Sequence, residues 1–240
     1  MAFTPVFHSE WIKIRTLRSQ LAALAMMLVV TALFSALASA DTGGDDFDPL
    51  FAVFFGVTFG QIAAIAFGTT AVSSEFQGGA LRLSLAAVPH RGRWFAAKAT
   101  AVAMPVFAAG LVTGVVTLVV GKAVLGADAD GLGWAEQVRG VVGCAVYLTL
   151  MALLAAGLTA VLRSGVATLS IVIPFLLIVS FVVGDASSGI ADLLPDRAGQ
   201  VALHETWAGA MGPWTGLGVT ALWAAAALTA GAWSVRRRDA

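Results

Sequence analysis

The sequence predicts an all-α, polytopic membrane protein with six transmembrane helices. Three observations carry this expectation. The 240-residue chain is 59% hydrophobic and only 12% charged, about half the charged share with which a soluble domain covers its surface. Six apolar runs are near or above the ~20 residues that a bilayer core requires. The basic residues between those runs are sorted. Six spans place Lys13, Arg15, Arg18, Arg82, Arg91, Arg93, Lys98, Arg163, Arg236, Arg237 and Arg238 on one side, and only Lys122, Arg139 and Arg197 on the other. That asymmetry is the positive-inside bias, and it assigns the richer side and both termini to the cytoplasm.

Residues 1–18 read as an amphipathic helix lying in the membrane interface. Thr4 can cap it and Pro5 suits its first helical position. Phe3, Phe7, Trp11 and Ile14 follow helical spacing, with Lys13, Arg15 and Arg18 close by, a pattern suited to the headgroup boundary. The first span is 21–40. Its end, Ala38-Ser39-Ala40, mimics a signal cleavage site, but the apolar run exceeds a signal h-region, so the segment is expected to be retained. The acidic turn at 41–49 lacks the ligand spacing of a calcium loop. Asp48 and Pro49 are expected to start the next helix.

The second span is 50–72. Gly56, Gly60, Ala64 and Gly68 recur every four residues and predict one smooth stripe for close helix packing. Gln61 is the most polar group in this span; it either lies on a substrate path or bonds to a neighbouring helix. The third span is 99–121, with Pro105 as a kink candidate and Gly110-x-x-x-Gly114 as a second packing face. The fourth span is 138–162. The fifth is 166–184, with Pro174 near its middle, also a candidate for the substrate path. Residues 185–212 suggest short outer helices broken at Pro195, and the sixth span is 213–233. No linker or repeat divides the chain, so one membrane domain spans 1–240.

The loop at 73–98 is polar and basic, and it carries its own apolar spacing at Leu81, Leu83, Leu85 and Val88. It predicts a small cytoplasmic helix that docks on another protein. Its arginines suit either partner contact or ordinary positive-inside topology with lipid headgroups.

Several functions are disfavoured. Zero net charge argues against a bulk nucleic-acid binder. The single cysteine, Cys144, allows no internal disulfide and suits packing. No span carries a charge near its centre, unlike most ion-coupled carriers. His8, His90 and His204 are scattered, so neither a metal site nor a catalytic cluster is expected, and no phosphate-cradling G-x-x-x-x-G-K-[ST] loop is present. Energy for transport would therefore enter through a second protein. A carrier or channel working alone, a membrane enzyme and an assembly scaffold are the other classes considered.

Glu10-Trp11-x-Lys13-x-Arg15-Thr16, Ser74-Glu75, Gly79-x-Leu81-Arg82, Pro89-x-Arg91, Lys98, Leu194-Pro195-x-x-Ala198-Gly199-Gln200 and the terminal Arg-Arg-Arg-Asp-Ala together resemble bacterial ABC-2 type permeases, the six-span membrane subunits of ATP-binding-cassette transporters. The resemblance implies a plasma-membrane exporter of hydrophobic or amphipathic substrates, such as drugs, antibiotics, lipids or peptides. It implies two permease copies, identical or paralogous, and two separate ATPase subunits. No cofactor is expected on this chain; ATP and Mg are expected on the ATPase. The family's coupling helix maps to about 79–87, with Glu75, Gly79, Leu81, Arg82, Leu85, Pro89, Arg91 and Arg93 as coupling residues. Leu81 and Leu85 would grip the ATPase, and the arginines would supply complementary charge.

Overall fold

A computed structural model of the chain describes residues 3–41, 47–88, 90–179, 191–206 and 211–237. Helices α1 (Phe3–Thr16), α2 (Arg18–Ser39), α3 (Pro49–Phe54) and α4 (Val57–Ser73) are followed by a 3-10 turn at Ser74–Phe76 and the short α5 (Ala80–Ala87). Then come α6 (Arg91–Leu125), α7 (Trp134–Leu162), α8 (Gly165–Pro174) with a π-helical turn at Phe175–Val179, α9 (Pro195–Gln200) and α10 (Pro213–Arg237). The described residues contain no strand. Five helical stretches are long and apolar enough to cross a membrane: Arg18–Ser39, Pro49–Phe76, Arg91–Ala129, Trp134–Leu162 and Pro213–Arg237. The remaining predicted span, 166–184, is described only to Val179.

Helix α2 is turned inside out relative to a surface helix of a soluble protein. The buried face of α2 carries Gln20, Thr31, Ser35 and Ser39, whereas Leu21, Met26, Val29, Leu33 and Leu37 point outward. Water would penalise that arrangement and hydrocarbon favours it, because a polar side chain in lipid needs an internal partner. On α10, Trp214 and Trp233 are both more than half exposed. The 19 helical steps from one to the other span about 28 Å, close to the thickness of a hydrocarbon core flanked by aromatic belts.

At the centre stands α7, packed against α4, α6 and α10. Its small residues allow this. Ala145 lies under Gly110 and Val141 under Gly114, so both predicted glycines of the α6 face pack as expected. Gly157 fits against the backbone of Ala227 and Leu228 in α10.

The predicted stripe on the second span divides instead of forming one face. Gly56 and Gly60 meet Thr31 of α2, while Gly68 meets the Ala152 carbonyl of α7; Ala64 is fully buried between these levels. A four-residue repeat outruns the 3.6-residue turn by about 40° per step, so twelve residues carry it from one neighbour to the next.

The second span is also two helices. Its break falls at Phe55 and Gly56, where the Gly56 N–H donates to Ser35 Oγ at 3.0 Å, and an inserted side chain is a standard cause of a helix break. The third span starts earlier than expected. Its helix begins at Arg91 and runs 35 residues through Pro105, so Arg91, Arg93 and Lys98 are helical residues and not loop. Trp94, Phe95 and Ala97 are buried in those added turns, and that burial extends the helix below the apolar run. Likewise α1 is already helical at Phe3, which puts Thr4 and Pro5 inside its first turn.

The expected outer helices sit within the bundle. In α9 and the 3-10 turn after it, Pro195, Asp196, Ala198, Gly199 and Val201–Leu203 are buried. Thr220 donates to the Pro195 carbonyl at 2.7 Å, and the Trp223 indole to the Leu193 carbonyl at 2.9 Å. Leu193 thus lies beside a residue about 15 Å along α10 from its start. Close approach is possible because Gly199 faces the Tyr147 ring and Gly216 faces the Ala198 carbonyl. Ile190 and Trp207 lie outside the described residues, as do Pro89 and Arg238.

Candidate functional site at the basic end of the bundle

Contacts between remote parts of the chain sort the molecule into two ends. Lys13 pairs with Glu75, Arg91 Nη1 donates to the Val235 carbonyl at 2.9 Å, and Gly165 packs on Ser73. These contacts gather α1, the 73–98 segment, the α7–α8 turn and the end of α10 at one end, here called the basic end. At the opposite, acidic end Asp48 caps α3 through the Phe51 N–H at 2.9 Å, as its position predicts. Asp48 also accepts from the Glu205 N–H and lies 3.1 Å from His204 Nδ1. Burial pushes the Asp48 carboxyl up, but the contact with His204 and the N–H groups of Phe51 and Glu205 outweigh it, and the group is held below its ordinary value.

The basic end is built around four charges. Glu10, Glu75 and Lys98 are each 3% exposed or less. Lys98 Nζ lies 2.7 Å from Glu75 Oε1 and also pairs with Glu10. Lys13 Nζ lies 2.9 Å from Glu10 and 2.8 Å from Glu75. Ser84 Oγ donates to the other Glu75 oxygen at 3.0 Å. Two carboxylates and two ammonium groups cancel, which is the condition under which charges tolerate burial. Their origins matter more: the cluster joins α1, the turn after α4, α5 and the first turns of α6.

Alongside it, Leu81 packs in an apolar cluster with Val72, Trp94, Phe95, Ala156, Ala160 and Val235, and Leu85 and Val88 lie against the same cluster. The α5 face carrying Leu81, Ser84 and Leu85 is therefore turned onto the bundle, so the two leucines expected to grip a partner grip this chain. Arg82 and Leu83 face outward, Leu83 being 75% exposed. The sharp entry to α5 is made by Gly78 and Gly79, both at positive φ, 61° and 76°. A Cβ there would touch nothing, so glycine is required for backbone conformation alone. Arg91 is partly buried, Arg93 is exposed, and Arg163 lies 5.7 Å from the Phe76 ring.

A second polar group lies deeper. Gln61, 1% exposed, accepts from the Tyr147 hydroxyl at 2.5 Å and donates to the Thr58 carbonyl. Gln200 donates to the same hydroxyl at 3.3 Å and accepts from Thr58 Oγ1 at 3.1 Å. Of the two roles open to Gln61, the structure displays the bond to neighbouring helices. Pro174 is exposed at the start of the π-helical turn, well apart in sequence from that network; its missing N–H suits the change of hydrogen-bond register there.

Neither the Glu10–Lys98 pair nor the inward face of α5 was anticipated from the sequence. The available signal was that Glu10 and Glu75 are the only acids before the C-terminal Asp239 on the richly basic side. Compared with known proteins, the chain matches no family model and no curated protein. Fold and composition together establish a helical protein with five long apolar helices that could be membrane spans.

Proposed function

We propose that this chain is the membrane-spanning permease subunit of an ATP-binding-cassette exporter for hydrophobic or amphipathic substrates, driven by a separate ATPase that docks on α5. The observation that carries the reading is the mounting of α5. An eight-residue helix stands at the basic end, its inner face fixed by the charge cluster and by Leu81, its outer face presenting Arg82 and Leu83. A helix so fastened passes an applied displacement directly to α1 and α6. In this reading the basic end is cytoplasmic, as the positive-inside bias indicates. Two permease copies and two ATPase subunits form the working assembly, and ATP and Mg bind to the ATPase. Closure of the paired ATPases shifts α5, and the bundle exchanges between two arrangements that differ in their contacts with that partner.

The test uses an outward residue. Leu83→Asp should abolish co-purification with a separate ATPase subunit, and nucleotide-driven transport with it, while the thermal midpoint of the permease stays unchanged. Retained coupling would refute the docking assignment. Leu81→Asp is a poor probe, because it buries a charge in the apolar cluster and unfolds the mount itself.

One observation favours a second reading, a self-powered carrier. Asp196 is 5% exposed in α9, within the bundle, next in sequence to a carbonyl bonded about 10 Å along α10. An ionisable residue at membrane depth is a functional-site candidate. Transport by the purified chain in vesicles without a nucleotide hydrolase, abolished by Asp196→Asn, would select that reading.

A further inference from the structure

We infer that the corner between α1 and α6 is a binding site for an anionic glycerophospholipid of the leaflet at the basic end. An open groove of about 610 Å³ lies there, lined on the α1 side by Phe7, His8, Trp11, Ile12 and Arg15 and on the α6 side by Met104. The lining contains no carboxylate. The acids Glu10 and Glu75 are occupied by Lys13 and Lys98, so Arg15 sets the charge of the groove and His8 adds a hydrogen-bonding ring. That charge selects a phosphate-bearing headgroup with no compensating ammonium. Phe7 and Trp11, stacked with centroids 6.1 Å apart, supply the amphipathic aromatic surface that settles at headgroup level.

The tail has a matching track. From Met104, the outward side of α6 continues through Phe107, Val112 and Val115, each 39–53% exposed. Met104 to Val115 covers about 16 Å of helix, half of a hydrocarbon core about 30 Å thick and thus one leaflet's acyl chain. Basic groove and apolar track meet at Met104, and a free phosphate ion would use only the first. The inference needs the bilayer but not the ATPase, so it can fail while the coupling assignment stands.

A lipid seated here touches α1 and α6 together, the two helices that Glu10 and Lys98 also join. Occupancy therefore stabilises the mount of α5 from its membrane side.

The experiment is native mass spectrometry of the full chain released from nanodiscs that hold equal amounts of phosphatidylglycerol and phosphatidylcholine with matched chains. Wild-type protein should retain phosphatidylglycerol preferentially. Arg15→Gln with His8→Gln should reduce that preference about fivefold, given ~1 kcal/mol for an arginine near an anionic surface; Arg15→Lys should keep it, and so should Lys122→Gln at the acidic end. A second readout is the rise in thermal midpoint caused by phosphatidylglycerol, which the double variant should lose. Equal retention of both lipids by the wild type would overturn the inference. So would selectivity that survives the double variant, or displacement of the lipid by millimolar inorganic phosphate, which would indicate an ion site.

Discussion

Replacing Lys98 with methionine probes the arrangement at the basic end most directly. The four clustered charges sum to zero. Lys98→Met leaves Glu10 and Glu75, both almost fully buried, sharing one lysine whose side chain is 42% exposed. Methionine fills much of the aliphatic volume, so the loss is mainly electrostatic. Breaking a buried pair by removing one partner costs about 3–5 kcal/mol. For a chain of this size that corresponds to a fall in thermal midpoint on the order of 10 °C. Lys13→Met removes a charge with the same two partners at similar distances, yet solvent screens it, and its cost should be about 1 kcal/mol or less. The double variant Glu75→Gln with Lys98→Met restores neutrality with Glu10 and Lys13 alone and should recover part of the loss. Thermal unfolding of the three variants in nanodiscs decides the matter. Equal midpoints for Lys98→Met and Lys13→Met would refute the argument, because the expected difference comes from the burial of Lys98.

Three further outcomes follow from single contacts. Gly68→Ala drives a methyl group onto the Ala152 carbonyl oxygen; a misfit of that kind costs about 1–3 kcal/mol, and unfolding should register it while Gly218→Ala, which meets open space, should not. Tyr147→Phe strips Gln61 Oε1 of its donor at 1% residue exposure; a buried acceptor left empty costs about 1–3 kcal/mol, measurable as a lower midpoint with the helical content preserved. Asp48→Ala removes the α3 cap for about 1 kcal/mol. Because the folded Asp48 carboxyl is held below its ordinary value, its contribution is complete above that value and lost as pH falls through the lowered one. A midpoint-against-pH curve should therefore show a wild-type decline below about pH 4 that is reduced in Asp48→Asn, and identical curves would count against the role assigned to Asp48.

The long apolar runs were legible because their cause is local: hydrocarbon demands about twenty consecutive apolar residues whatever the neighbours do. The Asp48 cap and the glycines facing Ala145 and Val141 were legible for the same reason, since each depends on residue type at a fixed offset. The misreadings share the opposite cause. The break at Gly56 depends on Ser35, 21 residues away, and a charged stretch such as 91–98 becomes helix because Trp94 and Phe95 find a cluster supplied by α4, α7 and α10. The two faces of α5 could not be assigned from periodicity. Leu81, Leu83 and Leu85 are all apolar, and the cluster that receives Leu81 and Leu85, together with the Glu75–Ser84 bond, fixes which of them turn inward. Glu75 stood out as an isolated acid, but its partners come from three other helices, one of them 62 residues away in sequence.

At the basic end the charge cluster ties α1, α5 and α6 together, and this bears on where movement can occur under the coupling assignment. On that assignment, one route for a displacement of α5 leads into α6, since Glu75 pairs with Lys98 and Leu81 packs with Trp94 and Phe95. From there α6 runs without interruption to Leu125, and near its far end Gly121 abuts Val53 of α3. That contact lies just before the break at Phe55 and Gly56, where a backbone donor is already committed to the Ser35 hydroxyl in place of the helix. On the same assignment, the α3–α4 junction, where the helical ladder is already interrupted, is where this route would bend. Under the coupling assignment, Ser35→Ala should alter transport more than it alters docking of the ATPase. The hydroxyl lies at the far end of the lever, remote from Arg82 and Leu83, and equal losses in both measurements would contradict the path.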